Sequence, residues 1–517
     1  MTDLIAHLVL GFGVALQFVE WKLSIFGSAM SIPVPMNLFL CFVGVMVGTL
    51  IGVLPGIGPV ATIAMLLPIT FGLPPIGALI MLAGIYYGAQ YGGSTTSILI
   101  NIPGESSSVV TTLDGHQMAR QGRAGPALAI AAIGSFFAGC VATVLVAALG
   151  APLTAIALKF GPAEYFSLMV LGLVFAVVLA KGSVPKAIAM TLVGLLLSMI
   201  GSDLETGAAR MSFGIPELSD GIGFVNVAMG VFGFSEILRN LESTEHRDIV
   251  QAKVTGLMPT RSDLITAAPA IARGTILGSI LGILPGGGAI IAAFAAYTFE
   301  KRIAKNPSRF GKGAIEGVAA PESANNAAAQ TSFIPLLTLG IPPNAVMALM
   351  VGAMTIHGIV PGPQIMTKQP DLFWGLICSM WVGNLMLVII NLPLVGLWVR
   401  LLRVPYRHLF PAILIFCCIG VYSINNSPTD VVITAVFALV GYWLVKHDFE
   451  PAPLLLGLVL GPLMEENLRR AMLIARGDTT VFFTRPISAG LLVVAMILVV
   501  LAVLPMIRQR REEVFVE

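Results

Sequence analysis

Gly52-Val53-Leu54-Pro55-Gly56-Ile57-Gly58 returns in the second half of the chain as Gly282-Ile283-Leu284-Pro285-Gly286-Gly287-Gly288. Each copy has a downstream echo, Ile102-Pro103-Gly104 after the first and Ile341-Pro342-Pro343 after the second. Proline and paired glycines interrupt helices, yet both copies stand inside long apolar stretches. Helices broken at corresponding places of two halves are the sequence pattern that points to a binding site in a membrane transporter.

The surrounding composition fits that setting. The chain has 517 residues, of which 56% are hydrophobic and only 11% charged, whereas soluble domains carry about 25% charged residues. Between Lys22 and Glu105 there is no Asp, Glu, Lys, Arg or His. A spanning helix needs roughly 20 apolar residues, so that stretch alone supplies several passes. Closed β-barrels read as short alternating segments, and here the runs are long and continuous. The expected fold is an all-α polytopic membrane protein of about 10 to 13 transmembrane helices at that span length. Some segments are half-helices or re-entrant pieces, and residues 4–19 form a short apolar segment, a tilted span or an interfacial helix. The net charge of +2 gives no reason to expect nucleic acid. Cys41, Cys140, Cys378, Cys417 and Cys418 lie in apolar runs and show no zinc-site spacing, which reads as packed thiols. No basic region with a small-residue cleavage site opens the chain, so no cleaved signal peptide is expected.

The longest polar connection is 239–263. It divides the chain into a first membrane half, 1–238, and a second, 264–517. Cytoplasmic loops are enriched in Lys and Arg. That rule places Arg239, Arg247, Lys253 and Arg261, the cluster Lys301, Arg302, Lys305, Arg309 and Lys312, and the C-terminal Arg508, Arg510 and Arg511 in the cytoplasm. Segment 264–300 is therefore flanked by cytoplasmic loops on both sides. With the glycines near its middle, it reads as a re-entrant hairpin whose arms hold under about 20 residues each. The flanks of the first copy, Ser31 to Pro35 and Phe71 to Pro75, carry no positive charge and suit the opposite face. The two copies read as inverted-topology repeats, each with a Gly/Pro-broken hairpin.

At such a break the N–H groups of a half-helix start carry partial positive charge and bind anions, and glycine lets a ligand approach the backbone. Freed carbonyls coordinate Na⁺. Carboxylate substrates coupled to Na⁺ or H⁺ suit this architecture, with no other cofactor and no firm metal site. The competing account, kinks for close helix packing, is weakened by the second copy. Beside the breaks run neutral donors and acceptors. The candidate substrate residues are Gly56, Gly58, Ser94, Thr95, Asn101, Pro103, Gly104 and Ser106 in the first half. In the second they are Gly286, Gly287, Asn325, Asn326, Thr331, Pro342 and Asn344. Glu105 and Glu322 are the ion-coupling candidates, since ionisable residues in a membrane segment point to function; proton coupling, cation ligation and helix capping all remain open for them. His116 reads as a solvated loop histidine beside Arg120 and Arg123. Arg469, Arg470, Arg476 and Arg485 follow an apparent turn at Gly461 to Asn467 and read as a charged loop and docking surface.

These motifs carry a resemblance. Gly52 to Pro59, Gly88 to Ser94, Asn101 to Ser107, Asp114-Gly115-His116-Gln117, Gly282 to Gly288, Pro321 to Asn326 and Leu339 to Pro343 resemble the large membrane subunit of the tripartite tricarboxylate transporter family. The match spans nearly the whole chain. One departure is region 20–36, which is longer and more irregular than expected before the first signature. The resemblance implies import of citrate-like di- and tricarboxylates across the bacterial inner membrane, driven by an ion gradient. It also implies two partners, a periplasmic substrate-binding protein and a small membrane subunit of four helices. An elevator-like motion of the two repeat cores is the mechanistic expectation. A channel and a membrane-embedded enzyme are the alternatives. The enzyme is disfavoured because the chain has no His-Glu-x-x-His, aspartate-rich phosphate motif or Ser–His pairing.

Overall fold

The computed structural model describes residues 2–25, 28–54, 58–178, 180, 183–203, 206–219, 221–242, 256–284, 288–401 and 406–514. Helices dominate, as they must where lipid offers backbone groups no partner. Five described helices are long and apolar enough to cross a membrane: Met36–Val53, Ala124–Ala157, Arg261–Ile283, Pro370–Asn391 and Pro428–Lys446. Shorter apolar helices such as Pro59–Thr70, Pro162–Val178 and Val184–Ser198 stand among them. Two small antiparallel ladders, Val19–Ile25 with Ser28–Val34 and Gly201–Ser202 with Ala209–Arg210, are the strands among the described residues. Large apolar side chains such as Ile276, Ile280, Leu439 and Leu501 are exposed on the outside, as a lipid-facing surface requires. The chain is an all-α polytopic membrane protein.

Both copies of the doubled signature interrupt a helix. Met36–Val53 ends at Leu54 and Arg261–Ile283 ends at Leu284, each leucine in extended backbone. Helices Pro59–Thr70 and Gly288–Ile303 follow. Residues 55–57 and 285–287, and with them Gly56, Gly286 and Gly287, lie outside the described residues.

The two copies are also supported in the same way. Gly44, Gly48 and Gly52 face the carbonyls of Met81, Ile85 and Ala89 on helix Pro75–Ile100. Gly274, Gly278 and Gly282 face those of Ala320, Ala324 and Ala328 on helix Glu316–Thr331. A Cβ at any of the six would stand under 3.0 Å from the facing oxygen. Residues four apart share a helix face, so a glycine stripe brings two backbones together that any larger residue would separate. The downstream echoes match as well. Pro75–Ile100 ends on Asn101 (φ 58°) and Phe333–Leu339 on Gly340 (φ 76°), both left-handed. Glu105 and Asn344 then cap the next helical segments with their own side chains.

The peripheral helices cross between the halves. Val184–Ser198 lies against Ala452–Ile474, with Gly194 on the Leu454 carbonyl and Gly457 on that of Thr191. Reciprocally, Pro428–Lys446 lies against the helical stretch 224–242, with Gly441 on Val231 and Gly230 on the Thr434 carbonyl.

Four sequence expectations are corrected. Arg261–Ile283 has 23 residues, about 35 Å at 1.5 Å per residue, so this arm is of spanning length and not short. Its Arg273 is held by Glu300 on the following helix through Nε–Oε1 at 2.6 Å and an Nη2–Oε2 bond at 2.8 Å. Gly461 to Asn467 form no turn but lie inside helix Ala452–Ile474. Of the four arginines, Arg469 pairs with Asp203 and Glu465, both at 2.7 Å, Arg470 with Glu466 and Arg485 with Glu164, each at 2.5 Å, while Arg476 is exposed in the turn that follows the helix. His116 is buried in a π-helical turn, Thr112–His116, with Nδ1 at 3.2 Å from the Ile98 carbonyl.

Candidate substrate and ion site

Glu322, Asn325 and Asn326 stand one turn apart on helix Glu316–Thr331, a spacing that puts them on one face. All three are buried, Glu322 completely. Glu322 Oε1 accepts from Thr111 Oγ1, and Oε2 accepts from Ser94 Oγ and, at 3.3 Å, from Asn325 Nδ2. Asn326 Nδ2 has three acceptors in reach of its two protons, Asn325 Oδ1 at 2.6 Å, Ser135 Oγ at 2.8 Å and the Glu322 carbonyl at 3.0 Å. Helices from both halves thus meet on one carboxylate. Among the described residues no ion pair includes it. Its partners are all neutral, and a buried carboxylate held only by neutral donors is costly unless a cation or proton offsets its charge. The Ser94 hydroxyl also lies 3.1 Å from the Gln90 carbonyl. Its one proton therefore has two acceptors, which leaves it free to turn away from Glu322 when that group is protonated.

The echoes lie beside this network. Glu105 Oε1 accepts from the Ser107 amide at 3.1 Å and from its hydroxyl, while the Glu105 amide donates to Ser108 Oγ at 3.4 Å. Asn344 Oδ1 accepts from the Met347 amide at 3.0 Å, and its Nδ2 reaches Tyr86 Oη at 3.5 Å. Thr96 Oγ1 donates toward the Gly52 and Val53 carbonyls, both 3.2 Å away, satisfying the end of the helix before the first break. Gly104 packs on the Gly52 carbonyl so closely that no Cβ fits between them. Capping is thus the visible role of Glu105. By contrast, the Pro59–Thr70 helix starts at Gly58 with no side-chain cap.

Asp114 makes a second junction between the halves. Its Oδ1 accepts from the amides of Gly311 (2.9 Å), Gly313 (2.8 Å) and Ala314 (2.7 Å), and Oδ2 from Tyr297 Oη (3.0 Å). Gly311 (φ 82°) and Gly313 (φ 101°) are left-handed, which turns the amides inward, and a Cβ on Gly317 would strike Asp114 Oδ2.

The structure brings Ser94, Asn325, Asn326 and Glu322 together, with Thr95 buried one residue on from Ser94. Thr331 is buried farther along the same helix and bonds the Ala327 carbonyl at 3.0 Å. Pro342 is buried, whereas Asn101 and Ser106 are exposed and Pro103 and Gly58 half-buried. Thr111, Ser135, Gln90 and Asn391 were not among the sequence candidates. Thr111 and Ser135 are direct members of the Glu322 network, and the only signal for Ser135 was a lone hydroxyl in an apolar run.

Comparison with known proteins identifies the family. The chain matches the sequence profile described as "Tripartite tricarboxylate transporter TctA family" over residues 38–456. It belongs to that family. A protein from Agrobacterium vitis, described as an "Uncharacterized 52.8 kDa protein in TAR-I ttuC' 3'region", is 60% identical over 517 residues, 100% of both chains. A second from the same organism, an "Uncharacterized protein in TAR-II ttuC' 3'region", is 65% identical over 240 residues, 46% of this chain and 99% of that one. No solved structure matches. As a TctA family member the chain is a multi-pass membrane component of a tripartite transporter. The matched residues take in both broken helices, both echoes and Glu322.

Proposed function

We propose that this chain is the large permease subunit of a binding-protein-dependent secondary transporter in the bacterial inner membrane. It imports di- and tricarboxylates by symport with Na⁺ or H⁺. A periplasmic binding protein delivers substrate, and a small four-helix subunit completes the membrane part. The observation that carries this reading is the repeated broken-helix unit from both halves around one buried carboxylate that has no cationic partner among the described residues. Glu105 and Asn344 occupy their own helix starts. The start of Pro59–Thr70, where Gly58 offers no side chain, is left to receive a substrate carboxylate through its N–H groups and dipole. Glu322 serves as the coupling carboxylate. The reciprocal crossing of the outer helices and the opposed charge flanks support an inverted repeat whose cores move as elevators.

The test is uptake of labelled C4 to C6 carboxylates into proteoliposomes holding both membrane subunits, with the binding protein outside. Saturable accumulation that needs a Na⁺ or proton gradient is expected. Non-saturating flux without a gradient would make the protein a channel, and no flux with all components present would remove the transporter reading.

A further inference from the structure

A small cavity lies at the junction of helices Pro75–Ile100, Ala124–Ala157 and Pro370–Asn391. Its volume of about 10 Å³ fits one water-sized occupant and is far too small for a tricarboxylate. Its polar lining comes from Tyr91, Ser94, Thr95, Ser135 and Asn391, and the rest of the wall is apolar, from residues such as Leu128, Ala131 and Val395. All five polar residues are at least nine-tenths buried. Two of them carry an oxygen that has no hydrogen-bond partner among the described residues, Tyr91 Oη and Asn391 Oδ1. The Asn391 amide is fixed in orientation, because its Nδ2 donates to the Leu387 carbonyl at 2.9 Å and toward Thr49 Oγ1 at 3.4 Å. Its Oδ1 is thereby left as an acceptor.

The protons of the two serines are directed elsewhere, and the partnerless Tyr91 hydroxyl can rotate to turn its lone pairs into the cavity. Ser94 donates to Glu322 or to the Gln90 carbonyl, and Ser135 donates toward the Glu322 carbonyl at 3.4 Å while accepting from Asn326. The lining residues offer no charged donor and no free amide N–H, so an anion finds little to hold it. Oxygen lone pairs in a site of this size suit a small hard cation, which prefers oxygen ligands. One hydroxyl away, through Ser94, sits the unpaired carboxylate of Glu322. From these features we infer that the cavity is a Na⁺ site, with Tyr91, Ser94, Thr95, Ser135 and Asn391 as its oxygen donors and Glu322 as its counter-charge.

This inference deepens the transport reading above and rests on it, since it assigns the coupling ion and its place. It reassigns Ser94 and Thr95 from substrate to ion. It also explains how a fully buried carboxylate persists with no Lys or Arg partner among the described residues: the cation arrives with the transport cycle.

The test is thermal unfolding of the purified full-length chain in detergent, titrated with NaCl, KCl or choline chloride at constant ionic strength. A ligand bound only by the folded state raises its melting temperature. A saturable rise specific to Na⁺ is expected. Asn391→Leu should abolish it, Tyr91→Phe should weaken the apparent affinity about tenfold (the loss of one ligand hydrogen-bond-sized contact, roughly 1.4 kcal/mol), and Asn391→Asp, which keeps the oxygen, should retain it. Equal melting in all three salts, or an undiminished Na⁺ response in both Asn391→Leu and Tyr91→Phe, overturns the site. Should Asn391→Leu fail to fold, Tyr91→Phe decides alone. Uptake separates this outcome from the parent reading. Carboxylate accumulation driven by protons and indifferent to Na⁺ leaves the transporter and removes the site. A Na⁺-specific shift without any uptake does the reverse.

Discussion

Replacing Asp114 tests how firmly the two halves are joined. Asp114→Ala takes the acceptor from three backbone amides and from Tyr297 Oη at once. Each buried donor left unpaired costs about 1–3 kcal/mol. Gly311 is exposed and Gly313 half-exposed, so water partly replaces the carboxylate at those amides. The Ala314 amide and the Tyr297 hydroxyl, in buried residues, have no such recourse. The expected loss is about 3–5 kcal/mol, carried mainly by those two groups and by the charge-assisted character of the bonds. Asp114→Asn keeps one oxygen for the amides and turns an NH₂ toward a tyrosine hydroxyl that can accept instead, so its cost is about 1–2 kcal/mol. The released element is the 304–315 connection, which carries exposed Lys305, Arg309 and Lys312. Limited trypsinolysis there reads the population of the opened form when reclosing outpaces cleavage. At 1.4 kcal/mol per tenfold, Asp114→Ala should be cut about 10² to 4 × 10³ times faster than the parent, with Asp114→Asn in between. Cleavage of the alanine variant at the parental rate, with unchanged melting, would refute the idea that this carboxylate fastens the loop.

Gly278→Val should cost about 3 kcal/mol or more, because the facing Ala324 carbonyl is backbone and cannot step aside; membrane-inserted but aggregated protein on size exclusion is the expected result, and Gly48→Val should behave alike. Arg273→Met strands Glu300, whose side chain is 4% exposed, at a cost of about 3 kcal/mol, and the double change Arg273→Met with Glu300→Met should recover most of the lost melting temperature. Glu322→Gln keeps shape and one acceptor oxygen but not charge, its NH₂ placed against a hydroxyl that can turn to accept, so it should fold and insert into membranes while losing gradient-driven accumulation in proteoliposomes. For the inverted repeat, cysteines introduced as Leu73→Cys and Lys305→Cys should label from opposite faces of the membrane with an impermeant maleimide; labelling from one face would remove the inversion.

Sequence reading located the helix breaks because they are written in local backbone chemistry. A Pro-Gly pair cannot continue a helix wherever it is placed, and Leu54 and Leu284 end their helices where the pattern said they would. The glycine stripes leading into each break gain their meaning only from the facing carbonyls of Pro75–Ile100 and Glu316–Thr331. What the sequence hid depends on tertiary contact. Thr111 and Ser135 meet Glu322 only because helices remote in sequence converge. His116 looked solvated beside Arg120 and Arg123, yet a π-helical turn rotates it inward with Asp114. Pro462 looked like a turn, but neighbouring helices in a membrane bundle tolerate proline within a helix. Arg273 is a charge within a membrane arm, and its partner Glu300 comes from the next helix, a pairing only the fold reveals.

The symmetry of the backbone does not extend to the chemistry. The glycine stripes fix a common register in which Ile85 answers to Ala324, Asn101 to Gly340 and Glu105 to Asn344. In that register the position of Glu322 is held in the first half by Ala83, and those of Asn325 and Asn326 by Tyr86 and Tyr87. The first half answers from other positions, with Ser94 and Thr111 as donors to the carboxylate, and Ser94 in turn corresponds to Phe333. Caps and close crossings recur because every broken helix must satisfy its ends and pack its neighbour, whatever it carries. A charge without a cationic partner needs no duplicate, and a second one in the same core would add its own desolvation cost. In the proposed reading the repeated breaks receive the substrate, and a departure from the repeat, Glu322 with its donors Ser94 and Thr111, carries the coupling charge.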